Sequence, residues 1–269
     1  MLQFTKMNGA GNDFVMVDNR SLQLSLDSAT IARLCDRHRG IGADGLISVE
    51  PAQADADFRM RYYNADGGEA EMCGNGARCF GRFAARLTGR TDAVSFETLA
   101  GIITAQLRGN HVQIAMSQPH SLLLHQPLSV SGTDLEVHSL NTGVPHAVVW
   151  VDDLQNVDVR SLGAGLRYHP HFAPKGTNAN FAQKIGPQQI AIRTYERGVE
   201  DETLACGTGM VACALTLQQL SGCKSPIQVT VRGGDTLEVA FERDGEDYRN
   251  VRLTGPADFV FEGQASLHP

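Results

Sequence analysis

Lysine is scarce in this chain of 269 residues, limited to Lys6, Lys175, Lys184 and Lys224, and acid outweighs base to give a formal charge of −7. That balance excludes a nucleic-acid partner, since such binding is driven by clustered Lys and Arg that displace counterions from phosphates. The same shortage, with no recognisable motif around any lysine, leaves a Schiff-base cofactor unsupported. No apolar run approaches the length of a membrane span, and Met1 to Gly9 has neither the charged-then-apolar order nor the small-residue cleavage site of a signal peptide. A cytosolic protein without a membrane partner is therefore expected. The six cysteines include no C-x-x-C pair, which argues against structural zinc and, in a reducing compartment, against a disulfide frame. His169-Pro170-His171 is a lone H-x-H, so no metal is expected. Gly40 to Gly45 satisfies G-x-G-x-x-G, yet it follows a helical segment and precedes a strand-like one, the reverse of a dinucleotide site, and reads as a turn.

What is present is material for a core, with 42% apolar and 20% charged residues, enough for two domains of ordinary size. Short alternating strands dominate the pattern. Helices are predicted at Ser28 to His38, Gly74 to Leu87, Val157 to Leu166 and Gly207 to Leu220. The second and fourth carry apolar stripes, Ala77, Phe80, Ala84, Leu87 and Met210, Cys213, Leu217, Leu220. Many strands with few helices predict an α+β protein.

An internal repeat organises the chain. Arg61-Tyr62-Tyr63-Asn64 leading to Cys73-Gly74-Asn75-Gly76 is echoed by Arg193-Thr194-Tyr195-Glu196 leading to Cys206-Gly207-Thr208-Gly209, with paired positions 132 or 133 residues apart. Each half reads as strand, acidic loop, Cys-Gly-x-Gly, amphipathic helix. A cysteine at a helix start sits against unpaired N–H groups and the positive end of the helix dipole, which favours its thiolate. The adjoining glycines let a carboxylate approach the N–H groups of Gly74, Asn75, Gly207 and Thr208. Two such sulfurs on opposite faces of one carbon are what stereoinversion needs, one removing a proton and the other returning it. Cys79 and Cys213, further along the same helices, are expected to be buried as small hydrophobes.

Asn8 to Phe14, Asn64 to Gly76 and Glu196 to Gly209 resemble the signatures of diaminopimelate epimerases, and the resemblance extends to Gly40 to Gly45, Asn141 to His146 and Gly176 to Phe181. It implies cofactor-independent interconversion of LL- and meso-2,6-diaminopimelate, on the route to lysine and peptidoglycan. It also implies two pseudo-symmetric strand-rich domains, each wrapped around a central helix, with the active site in the cleft between them. The expected halves are 1–116 with 257–269, and 117–256; the strand around Phe259 to Phe261 returns to the first half, and the protein is a homodimer. By the same resemblance Cys73 and Cys206 are the acid/base pair, and the backbone of Gly74, Asn75, Gly207 and Thr208 binds the reacting carboxylate. Asn12, Asn64, Asn178, Glu196 and Arg197 hold the distal ammonium and carboxylate, with His146 and Glu196 as supporting acid/base groups that help set the protonation of the thiols. Gly45 and Val144 depart from better-known members, which carry Gln and Asn there. A cofactor-independent racemase for another amino acid, such as glutamate, and a thiol switch on the same duplicated fold remain alternatives.

Overall fold

The computed structural model describes residues 1–70 and 72–267. They form a mixed, sheet-rich α+β protein divided into two compact units, Met1–Ile114 with Gly255–Pro269, and Ala115–Thr254.

In the first unit Leu2–Gly9 and Asn12–Asp18 make an antiparallel hairpin. Gly45–Pro51 adds parallel to Asn12–Asp18, followed by antiparallel Phe58–Asn64. Ala93–Thr98 then joins in parallel and Gly101–Arg108 and His111–Ala115 continue as a meander. On the other side of Leu2–Gly9 lies Asp258–Ala265, running antiparallel with Leu2 opposite Ala265, so the C-terminal strand belongs to the first unit.

The second unit repeats this order. His120–Val130 and Thr133–Asn141 pair antiparallel, then Pro145–Trp150, then Asn178–Gly186 in parallel, then Gln189–Glu196 antiparallel. Ile227–Thr230 joins in parallel, and Thr236–Asp244 and Asp247–Pro256 close the series. His120–Val130 thus occupies in one unit the place that Asp258–Ala265 occupies in the other.

All four expected α-helices are present, the first ending at Cys35 and not at His38, and the third starting at Val159 and not at Val157. Ser28–Cys35 and Val159–Arg167 lie outside the sheets, their N-caps made by Asp27 and Asp158, whose carboxylates accept the N–H of Thr30 and Ser161. Each buries one face: Ile31 and Leu34 against Val15, Val17 and Leu46, and Val159 and Leu166 against Val149, Ala179 and Phe181. Gly74–Thr88 and Gly207–Ser221 are the central helices, each with strands of its own unit packed around it. Both start at a cysteine N-cap and stop at a left-handed glycine, Gly89 (φ 70°) and Gly222 (φ 65°), the residue type that tolerates that conformation. Cys79 and Cys213 are fully buried, as expected.

Candidate active site

The two cysteine turns are near copies. Cys73 has φ −129° and ψ 123°, Cys206 φ −125° and ψ 109°, and neither side chain caps its helix. The first helical hydrogen bonds run from the Ala77 N–H to the Cys73 carbonyl (2.7 Å) and from the Met210 N–H to the Cys206 carbonyl (3.0 Å). The N–H groups of Gly74, Asn75 and Gly76, and of Gly207, Thr208 and Gly209, therefore precede the helical ladder and suit an anion. Cys206 is buried and its Sγ lies 3.6 Å from the Thr208 hydroxyl; Cys73 is half-buried.

The strand before each turn is fastened alike. Arg61 grips Glu69 through two hydrogen bonds of 2.8 Å, and Arg193 grips Glu202 at 2.6 and 2.9 Å. Glu69 and Glu202 were not singled out from the sequence, although they stand at the repeat offset and could have been found by it.

In the first unit Asn12 and Asn75 meet directly: the Asn75 amide donates to Asn12 Oδ1 at 2.5 Å, and Asn12 donates to Asp44 at 2.9 Å. Arg78, fully buried, donates to Asn75 Oδ1 (2.8 Å) and to the Gly9 carbonyl (3.2 Å). Behind them Asp13 is flanked by Lys6 at 2.8 Å and Arg37 at 2.7 Å. Burial works upward on Asp13, but the bonds from Arg37 and Lys6 outweigh it and hold its carboxyl down at about 2. Asn64 is exposed at the end of its strand, where its N–H closes a turn onto the Gly68 carbonyl (2.9 Å). Gly45 has no room for a side chain, since a Cβ there would fall 2.4 Å from the Tyr63 carbonyl and 2.7 Å from the Tyr62 ring.

In the second unit four candidates converge. Asn178 donates to the Pro145 carbonyl (3.0 Å) and accepts the Arg197 N–H (2.9 Å), tying the segment before His146 to the Glu196-Arg197 corner. Burial raises the Glu196 carboxyl above its ordinary value. Burial also pushes His146 down to about 3, and the Arg197 charge acts in the same direction. Thr142 donates to the Thr208 carbonyl (3.0 Å), joining the Asn141 to His146 turn to the first turn of the Cys206 helix. Val144 contributes its carbonyl to that turn by accepting the Thr142 N–H at 3.1 Å.

His125, Glu136 and His138 place one donor atom each within 4.8 Å of the others. His138 Nδ1, however, accepts the His125 backbone N–H at 3.2 Å, so the neutral ring carries its proton on Nε2, the atom facing Glu136. A metal ion would have to displace that proton and break that bond. The His169-Pro170-His171 segment is a 3₁₀ turn in which His169 Nδ1 accepts the His171 N–H (3.2 Å).

Residues 4–122 and 138–260 match the sequence profile of the family described as diaminopimelate epimerase. The chain belongs to the diaminopimelate epimerase family. It is 43% identical to the diaminopimelate epimerase of Aquifex aeolicus, over 98% of both chains, and 42% identical to that of Flavobacterium psychrophilum, over 97% and 99%. Among solved structures it resembles a phenazine biosynthesis protein of the PhzF family from Bacillus anthracis (TM-score 0.73, 17% identity, 98% and 99% covered). It also resembles a probable proline racemase from Agrobacterium radiobacter (TM-score 0.70, 16% identity, 100% and 94% covered). These likenesses establish a duplicated fold shared by the diaminopimelate epimerase family with other proteins.

Proposed function

We propose that this protein interconverts LL- and meso-2,6-diaminopimelate without a cofactor, using Cys73 and Cys206 as its two acid/base groups. The supporting observation is the matched pair of cysteine N-caps, equivalent in sequence, dihedral angles and position in the two units. In one direction a thiolate takes the α-proton while the other cysteine, as thiol, gives its proton to the opposite face of the carbon. Thiolate and thiol are then exchanged, and the reverse reaction starts from that state. The α-carboxylate is held by N–H groups of Gly74, Asn75, Gly207 and Thr208, where helix N-termini favour negative charge as it develops in the carbanion-like transition state.

Asn12, Asn64, Asn178, Glu196 and Arg197 hold the distal ammonium and carboxylate, and His146 and Glu196 stand beside the reacting centre. The guanidinium of Arg197 suits a carboxylate, and its backbone is pinned by Asn178. The mechanism requires reduced thiols, consistent with a cytoplasmic location. A homodimer is the working assembly, supported by exposed Val260 and Phe261 on the C-terminal strand.

A second reading, a racemase for another amino acid, is favoured by one observation: Gly45 has no space for an amide side chain. Incubation of the reduced protein with LL-diaminopimelate in D₂O, followed by NMR and chiral chromatography, decides between them. Meso product with deuterium at one α-carbon is expected. Exchange into glutamate or another amino acid instead would move the substrate, and no exchange in any amino acid would return the chain to a thiol switch.

A further inference from the structure

Asn180 was not among the residues the sequence pointed to, yet it sits at the centre of a buried polar chain crossing three strands of the second unit. His146, Asn180 and Thr194 are 1%, 0% and 3% exposed. Asn180 lies directly opposite Thr194 in the antiparallel pair and opposite Val148 in the parallel one, so its side chain shares a face with His146, two residues before Val148. The Thr194 hydroxyl donates to Asn180 Oδ1 at 3.0 Å, and the Asn180 amide donates to the Ala147 carbonyl at 2.8 Å. These two contacts settle which end of the amide is nitrogen, since the reverse orientation would set Oδ1 against a carbonyl oxygen. The amide nitrogen then faces His146 Nδ1 at 3.1 Å.

An NH₂ group only donates, so Nδ1 of the facing ring must accept, and a neutral imidazole that accepts at Nδ1 carries its hydrogen at Nε2. Nε2 is buried and meets no hydrogen-bond acceptor among the described residues. Asn180 also touches the cysteine turn: a Cβ on Gly209 would fall 2.3 Å from its Oδ1, so the helix start packs on the same amide.

We propose that Asn180, oriented by Thr194 and the Ala147 carbonyl, is a positioning residue that locks His146 in the Nε2–H tautomer, so that His146 serves the reaction as a neutral hydrogen-bond donor and not as a base. The donor suits an anionic acceptor forming at the reacting centre. A neutral imidazole gives such electrostatic help without adding a positive charge to a buried site. This inference rests on the reading that His146 serves the epimerase reaction, while the tautomer itself does not depend on that reading.

The test is ¹⁵N NMR of the imidazoles in the full-length protein, with His146 assigned by the loss of its signals in His146→Gln. Wild type is expected to show a protonated Nε2 and an unprotonated Nδ1. Asn180→Asp puts an acceptor at Nδ1, moves the ring proton there, and lowers kcat about 10²–10³-fold with KM little changed. If that variant does not fold, Thr194→Val loosens the amide instead: mixed tautomers and a several-fold lower kcat are expected, both restored by Thr194→Ser. A wild-type ring protonated on Nδ1 overturns the proposal, as does a folded Asn180→Asp that keeps the Nε2–H form. A tautomer that moves while kcat stays unchanged overturns the catalytic part. Failure of wild type in the D₂O experiment would overturn the epimerase reading, and the NMR arm would still decide what Asn180 does.

Discussion

The two central helices begin and end alike but differ between their caps. At every fourth residue the Cys73 helix carries Arg78, Arg82 and Arg86, where the Cys206 helix at the repeat offset carries Val211, Leu215 and Gln219. The arginines reach the C-terminal segment that completes their unit. Arg78 donates to the Pro256 carbonyl (3.2 Å), Arg82 to that of Ala257 (2.7 Å), Arg86 pairs with Glu262 (2.6 Å), and Arg82 and Arg86 lie over the Phe259 ring. The second unit receives its corresponding strand from the preceding chain, and its helix is apolar on nearly every side. Two of the three guanidinium groups donate to main-chain carbonyls of the segment that arrives from far along the sequence, and the third pairs with one of its carboxylates. One scaffold thus accommodates two connections by changing one helix face.

The largest expected effect tests where the helices agree. Cys73→Ala and Cys206→Ala should each reduce turnover by about 10²–10⁴-fold or more in both directions, measured by chiral chromatography, and full turnover in either would end the two-thiol mechanism.

Next come differences between the helices. Arg78→Met strips donors from three oxygens, two of them buried, and should cost about 3 kcal/mol in urea unfolding, whereas Val211→Ala at the matching position should cost about 2 kcal/mol. Equal losses would mean that the arginine is no more than filler. Gly81 stands where a Cβ would lie 2.3 Å from that of Ala105, while its counterpart is Ala214. Gly81→Ala should therefore lose about 2 kcal/mol despite the better helix former, and Ala214→Gly about 1 kcal/mol.

Acid separates the units in another way, because His146 occupies the repeat position of Asp13. Both groups have depressed folded-state values, so both contribute stability that is lost as pH falls, but over different windows. For His146 the loss begins near 6.5 and runs toward about 3; for Asp13 it begins near 3.8 and runs toward about 2. Between pH 6.5 and 5 the second unit should lose about 2 kcal/mol from His146. Hydrogen exchange at pH 5 and 7 should show protection falling in Pro145–Trp150 and Asn178–Gly186 before Asn12–Asp18. The smallest effect is Arg86→Ala, which breaks a largely exposed pair with Glu262 and should cost under about 1 kcal/mol in thermal melts.

The helices and the repeat were legible in the sequence because they rest on local chemistry: Cys-Gly-x-Gly starts, glycine stops and apolar stripes. His120–Val130 was not, since Ser121 and His125 adopt positive φ and its register shifts twice against Thr133–Asn141, which breaks the two-residue alternation. Asn178–Gly186 was missed because its first five residues are all buried, Asn178 and Asn180 among them, and no polar-apolar alternation marks them. The motifs name Asn12, Asn75, Asn178 and Arg197 as candidates. The Asn12–Asn75 bond joins a strand to a helix far along the chain, and the centrality of Asn180 depends on the parallel pairing with Pro145–Trp150; no local pattern encodes either.

The antiparallel register of Leu2 with Ala265 has a consequence for synthesis. As the chain leaves the ribosome, Ala115–Thr254 has all its strands before the last residues appear, whereas the first unit waits with one flank of Leu2–Gly9 unpaired until Asp258–Ala265 emerges. The half made first is completed last, and until then its open edge presents unpaired N–H and C=O groups.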